Sequence, residues 1–205
     1  FIQPAAGDAG NALGAAYNIC HVLLGNKRVE TLKNAYLGPE FSDDEIVAAM
    51  NNARLTWERV DNIEQHCAAR INEGKIIGWF QGRAEVGPRA LGNRSILANA
   101  TKAETKDIVN LKIKKRESFR PFAPAIQAEH AADYIDDYHP SPFMLLVMDI
   151  KKAKRSAVPS ITHVDGTARL QTVTKSSNKR FWRLIDEFRQ LTGVPVVLNT
   201  SFNVA

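Results

Sequence analysis

Apolar positions along this chain fall in short runs that switch between helical and strand spacing. Residues 11–23 are Ala- and Gly-rich and follow the turn Ala5-Ala6-Gly7-Asp8-Ala9-Gly10. They predict a helix that packs closely but buries little area by itself. Ser42-Asp43-Asp44-Glu45 has capping-box spacing and opens a predicted helix over 46–51. Val60, Ile63, Cys67 and Ile71 share a face of a helix predicted over 57–72, which Gly74 ends. Residues 75–80 read as a buried strand. Further on come a short helix over 129–136 and strands over 143–150 and 170–174. The clearest helix is 178–191, with Phe181, Leu184, Ile185, Phe188 and Leu191 on one face and Gly193 just past its end. A strand over 194–198 then runs into the polar loop Asn199-Thr200-Ser201-Phe202-Asn203. Strands and helices alternate irregularly, which predicts an α/β fold: a mixed, twisted sheet with flanking helices.

At 205 residues the chain is long enough for one good core, or one domain and a piece of another. Its 44% hydrophobic content is that of a globular protein. No apolar run approaches the roughly 20 residues that span a bilayer, and no signal peptide is present, so a cytoplasmic location without a membrane partner is expected. Cys20 and Cys67 lack any C-x-x-C spacing and read as reduced structural thiols, with a disulfide left open. A polar linker over 25–40 breaks at Gly38-Pro39, dividing residues 1–38 from 39–205. Both ends read as cut.

Charge changes the picture most. Residues 83–120 hold ten Lys or Arg against four Asp or Glu, a net +6, while the whole chain carries +5. One local pole therefore accounts for the sequence pI near 9.3. The pole has no aromatic ladder apart from Phe119 and Phe122, which argues against nucleic acid and favours small anionic ligands. Gly87-Pro88-Arg89-Ala90-Leu91-Gly92-Asn93-Arg94 combines fixed and permissive backbone, which would aim Arg89, with Arg94 a second candidate, at a phosphate. The bland alternative is arginines paired with Glu85 or Glu117. Lys114-Lys115-Arg116-Glu117-Ser118-Phe119-Arg120-Pro121 is expected to be extended, so that Lys114, Arg116, Ser118 and Arg120 share a face. A solvated edge strand is the alternative there. Arg169 follows the turn Asp165-Gly166-Thr167 and stands at the sheet's end, or pairs with Asp165. His163 reads first as a hydrogen-bonded loop histidine. Asn199, Ser201 and Asn203 lie where α/β folds often bind ligands, after a strand's carboxyl end. No Walker loop, metal-type His pair or nucleophile elbow occurs.

Together, G-R-A-E-V-G-P-R-A-L-G-N-R-S-I-L, K-x-R-E-x-F-R-P-F-A-P, H-V-D-G-T-A-R-L-Q-T-V and L-N-T-S-F-N resemble the carbamoyltransferase family of nodulation and antibiotic-tailoring enzymes (NodU/CmcH type). The resemblance covers roughly residues 74–203. It implies that 39–205 form a YrdC-like domain, truncated at its C-terminus, that binds ATP with Mg²⁺ and carbamoyl phosphate and makes carbamoyl-adenylate. It implies that 1–38 end an actin/hexokinase-type transferase domain, which passes the carbamoyl group to a hydroxyl of a sugar or antibiotic-like acceptor. Lys114 and Arg120 would be catalytic; Arg89, Arg116, Arg169, Asn199, Ser201 and Asn203 would bind nucleotide and substrate. Asp8 resembles a ligand of a metal ion held mostly by an N-terminal domain outside this sequence. The alternative is a threonylcarbamoyl-adenylate-synthase-like, RNA-associated YrdC protein, or a regulatory domain that binds nucleotide without chemistry.

Overall fold

A computed structural model describes residues 2–28 and 31–202 of the chain. After a 3-10 turn, helix α1 (Asn11–Asn18) continues into a π turn over Ile19–Leu23, and neither buries a residue. Helix α2 (Asp43–Asn52) opens on a complete capping box: Ser42 Oγ accepts from Glu45 N, and Ser42 N donates to Glu45 Oε2 at 2.8 Å. Helix α3 (Ile63–Asn72) is shorter than its apolar spacing predicts. Asn62 Oδ1 accepts from Gln65 N and starts it there, while the exposed Trp57 donates its indole N–H to Asn51 at 2.9 Å. Strands β1 (Ile77–Phe80) and β2 (Arg94–Asn99) follow, then α4 (Thr105–Ile108), which runs into a π turn over Val109–Ile113. Next come β3 (Ala123–Gln127), α5 (Ala131–Tyr134), β4 (Val147–Asp149), β5 (Thr167–Arg169), β6 (Gln171–Val173), α6 (Lys179–Thr192) and β7 (Val196–Ser201).

Five strands form one sheet in the order β1-β2-β7-β3-β6, antiparallel except for the β3–β6 pair; β4 and β5 make a separate antiparallel ribbon. The expected mixed α/β architecture is therefore observed. Register explains the two cores. Trp79, Leu97, Val197, Ala125 and Val173 project from one face onto Ile71 of α3 and onto Phe181, Leu184, Ile185 and Phe188 of α6. Ala98, Leu198, Val196 and Ile126 project from the other, onto Tyr134 and Ile135 and the β4–β5 ribbon. Helix α6 ends at Gly193 (φ 74°) as its sequence predicts, and it starts at an Asn178 cap that accepts from Phe181 N at 3.1 Å. Leu191 departs from the predicted face and is 53% exposed.

Two expectations need correction. Strand β4 is much shorter than 143–150, because Met144 takes φ 55° and turns Phe143 and Met144 under Leu91 and Ala123. The strand predicted over 170–174 is found as β6, which joins the sheet; the buried Leu170 separates it from β5, which joins the ribbon. Strand β7 extends to Ser201, so Asn199 belongs to the sheet and not to a loop after it. β2 and β3 had no counterpart in the apolar pattern. The sequence Ala-Pro-Ala is poor strand material, and β3 forms because β7 and β6 pair with it on both sides.

Candidate anion-binding site

The loop between β1 and β2 folds around its own acid. Glu85 Oε1 accepts from the backbone N–H of Leu91 (2.7 Å), Asn93 (2.9 Å) and Arg94 (3.2 Å). Gly92 sits at φ 102°, and a Cβ there would collide with the Phe181 ring, so only glycine lets the loop lie on α6. A buried amide network then fixes the loop's carbonyls. Gln171 Nε2 donates to Leu91 O at 2.9 Å, and Tyr36 Oη donates to the same oxygen at 2.8 Å. Asn199 Nδ2 donates to Ala90 O (3.1 Å) and to Gln171 Oε1 (3.0 Å). Asn178 Nδ2 and Gln81 Nε2 both donate to Asn93 Oδ1, at 2.9 and 2.7 Å. Burial pushes the Tyr36 hydroxyl up to about 12, against the lowering effect of its Asn178 bond, so it stays a neutral donor.

The arginines of the basic segment divide by what their donors meet. Arg83 donates to Gly38 O and Leu37 O, both at 3.1 Å. Arg94, expected as a second anion ligand, is turned the other way. Its guanidinium donates to Gln81 O (2.7 Å), Asn93 O (2.9 Å), Gly82 O (3.0 Å) and Pro39 O (3.2 Å), and stacks 3.6 Å over Phe80. Those carbonyls take four of its five N–H donors, which makes it a backbone clamp. Arg89 and Arg169 differ. Each has a buried Nε without a hydrogen-bond partner. Burial and the neighbouring Arg89 both lower the Arg169 pKa, and no carboxylate offsets them. Two adjacent guanidinium groups without a counter-charge make a candidate anion site.

Lys114 makes the second half. The segment 114–120 is not extended, contrary to expectation: Lys114 caps the π turn and Lys115 takes φ 45°. Asn110, fully buried, gathers the resulting loop by donating to Ser118 O (3.2 Å) and Arg120 O (2.9 Å) and accepting from Arg116 Nε at 2.7 Å. Arg116 also lies 4.8 Å over the Phe122 ring. Lys114 is only 9% exposed; its Nζ donates to Ser201 Oγ at 3.0 Å and to Ser201 O. Burial first, then Arg116, pushes its pKa down to about 8. Arg120 is exposed and paired with Glu117 at 2.8 Å. Asn199 and Ser201 are alternate residues of β7. The Arg89 loop, tied to Asn199, and Lys114, tied to Ser201, are thus attached to one face roughly 7 Å apart.

His163 sits at the turn before β5, its Nδ1 3.1 Å from Thr167 Oγ1. Asp8 is exposed in the first turn of the chain; among the described residues no three His, Cys, Asp or Glu side chains gather as a metal site. Asn203 lies outside the described residues. Sequence reasoning missed Tyr36, Asn110, Gln171 and Asn178. Of these only Gln171 stood inside a quoted motif, where an amide amid β-branched residues was the available signal. The two cysteines are free, as expected; burial and Glu64 push the Cys67 thiol up. Among the described residues no helix is long and apolar enough to cross a membrane.

These features define a mixed α/β protein with a candidate anion-binding site made of two uncompensated guanidiniums and a buried lysine. The particular family follows from comparison: residues 68–205 match the family described as Carbamoyltransferase C-terminus, and the chain belongs to it. It is 45% identical, over 99% of its own length, to the nodulation protein NolNO of Sinorhizobium fredii, of which it covers 31%. It is 37% identical to the 3'-hydroxymethylcephem-O-carbamoyltransferase of Streptomyces clavuligerus over 99% of this chain and 37% of that one. The chain thus spans about a third of the length of these relatives. Among solved structures it resembles P. abyssi Sua5 complexed with L-threonine, with TM-score 0.51 and 17% identity over 72% of this chain and 41% of that one; this is a likeness of fold.

Proposed function

We propose that this chain is the adenylate-forming part of an O-carbamoyltransferase, taking ATP and carbamoyl phosphate as substrates. The observation that carries this reading is the pair of uncompensated guanidiniums, Arg89 and Arg169, in a chain of the carbamoyltransferase C-terminal family. Two cationic elements tied to alternate residues of one strand, Asn199 and Ser201, suit two phosphate-bearing substrates.

In the proposed reaction, carbamoyl phosphate and water give carbamate and phosphate. A carbamate oxygen then attacks the α-phosphorus of ATP, a new P–O bond forms, and the bond to pyrophosphate breaks. Charge builds on the phosphoryl oxygens, where Lys114 and Arg120, with Arg89, Arg116 and Arg169, stabilise it. No nucleophilic side chain is required, and catalysis is electrostatic and positional. Asn199 holds the Arg89 loop, Ser201 holds the Lys114 ammonium, and Asn203 is carried as a further ligand. Mg²⁺ would arrive on the ATP phosphates, since Glu85 is taken by three N–H groups and Glu117 by Arg120. Transfer to a sugar or antibiotic-like hydroxyl requires an N-terminal transferase domain of the kind the longer relatives have room for. Asp8 alone does not make a metal centre, so no step is routed through it.

The test is pyrophosphate release from ATP. Release that depends on carbamoyl phosphate, with carbamoyl-adenylate seen by mass spectrometry, is the expected result. Release that depends instead on threonine and bicarbonate, or tight RNA binding without any response to carbamoyl phosphate, would sink the reading.

A further inference from the structure

The imidazole of His163 joins the two halves of the cationic site. Its Nδ1 lies 3.1 Å from Thr167 Oγ1, and that hydroxyl gives its own proton to Asp165 Oδ1 at 2.8 Å. With its hydrogen so committed, Thr167 Oγ1 can only accept, which places a proton on Nδ1. The ring also hydrogen-bonds the main chain of Phe122, an interaction that favours the protonated form. Thr167 begins β5, whose last residue is Arg169; Phe122 directly follows Arg120-Pro121. The ring therefore spans from the strand that carries Arg169 to the segment that carries Lys114, Arg116 and Arg120.

Its surroundings conflict. Acceptors on the ring and the nearby Asp165 carboxylate favour imidazolium. Half-burial opposes it, and so do Arg169 on β5 and Lys106 on α4, the two cations that face it among the described residues. The balance leaves the ring's pKa below the ordinary histidine value. A ligand can shift this balance, because an anion seated on Arg169 offsets that cation's field at the ring.

We propose that His163 is a proton-linked positioning residue of this site, taking up a proton when a polyphosphate engages Arg169 and then gripping both Thr167 and the Phe122 carbonyl. The inference rests on Arg169 being an anion ligand, as in the proposed function. Occupancy and protonation favour one another, so anion affinity rises as pH falls through the window between the free and bound pKa values of the ring. The consequence is a site that tightens its two cationic walls when filled.

The test uses the purified protein with ATP as probe. Five histidines are few enough to follow by NMR, and the His163 signal is assigned by its loss in His163→Gln. ATP is expected to raise the titration midpoint of that resonance, leaving His21, His66, His130 and His139 unmoved. Calorimetry near pH 6.5, in buffers of different ionisation enthalpy, should show wild type taking up roughly half a proton more per ATP than His163→Gln. Protons that ATP itself binds are common to both and cancel. His163→Gln should bind ATP with a flatter pH profile, and His163→Ala several-fold more weakly than His163→Gln. ATP binding without any shift of the His163 midpoint would overturn this inference and leave the proposed function standing. No ATP binding by wild type would overturn both. Should the variants fail to fold, the wild-type titration with and without ATP still decides the matter.

Discussion

Arg94, at the start of β2, and Arg169, at the end of β5, are the same residue type in opposite electrostatic situations. Arg94 spends its donors on four backbone carbonyls and a phenyl face; Arg169 keeps a buried donor without a partner beside a second guanidinium. The difference teaches that a basic motif is not a list of ligands. A satisfied arginine builds the loop and an unsatisfied one is a candidate anion ligand, and only the positions of carbonyls and carboxylates tell them apart. Glu85 makes the same point with the opposite sign. Although acidic and central to the basic segment, it pairs with no arginine and serves as the hub of three backbone N–H groups.

The comparison can be broken most forcefully at the surface on which the loop rests. Gly92→Ala places a methyl against Phe181 at a positive φ and is expected to cost about 3 kcal/mol or more of stability, read by chemical denaturation. A wild-type denaturation midpoint would mean that the loop is not seated on α6. Arg94→Ala comes next. It strips carbonyl partners from the loop and should cost about 2–3 kcal/mol of stability while ATP affinity of the folded fraction is kept. Arg89→Ala and Arg169→Ala should show the reverse, with ATP binding weakened by about 1–3 kcal/mol and the melting temperature unchanged or raised, because like-charge repulsion is relieved. If Arg94→Ala and Arg169→Ala shared one phenotype, the division drawn between them would be wrong.

Lys114 sharpens the contrast through pH. Its pKa is lowered to about 8, so the ammonium is charged below that pH and neutral above it. ATP affinity should therefore fall several-fold between about pH 7 and pH 9, and Lys114→Ala should be weak and flat across that range. This window lies above the one assigned to His163, so the two groups separate in a single titration series. The smallest structural effect belongs to Arg120→Ala. Its bond to Glu117 is solvent-exposed, and removal should move the melting temperature by no more than about a degree. A several-fold loss of ATP affinity in that variant would show that Arg120 leaves Glu117 to meet the ligand.

Helix α6 was legible because its stripe and its Gly193 terminus are local features that agree with one another. Helix α2 was legible for the same reason, through Ser42 and Glu45. Strand β3 was not, since Ala123-Pro124-Ala125 has little preference of its own and is a strand only because two neighbours supply the ladder. The 114–120 segment misled for a related reason: a fully buried Asn110, four to ten residues upstream, collects its carbonyls and folds it into a loop.

The sequence by itself determined the class of this protein: a mixed α/β chain with one cationic pole, punctuated by the motifs of the carbamoyltransferase C-terminal family. Charge, turn residues and motif spacing are written one position at a time, so they survive without coordinates. The tertiary structure decided which cations are free to act. Whether an arginine meets a carbonyl, a ring, an acid or nothing depends on segments as distant in sequence as Pro39 from Arg94, or Ser201 from Lys114. Those pairings are set by the closing of the sheet, because only the folded chain brings a donor within hydrogen-bond distance of an acceptor fifty or more residues away.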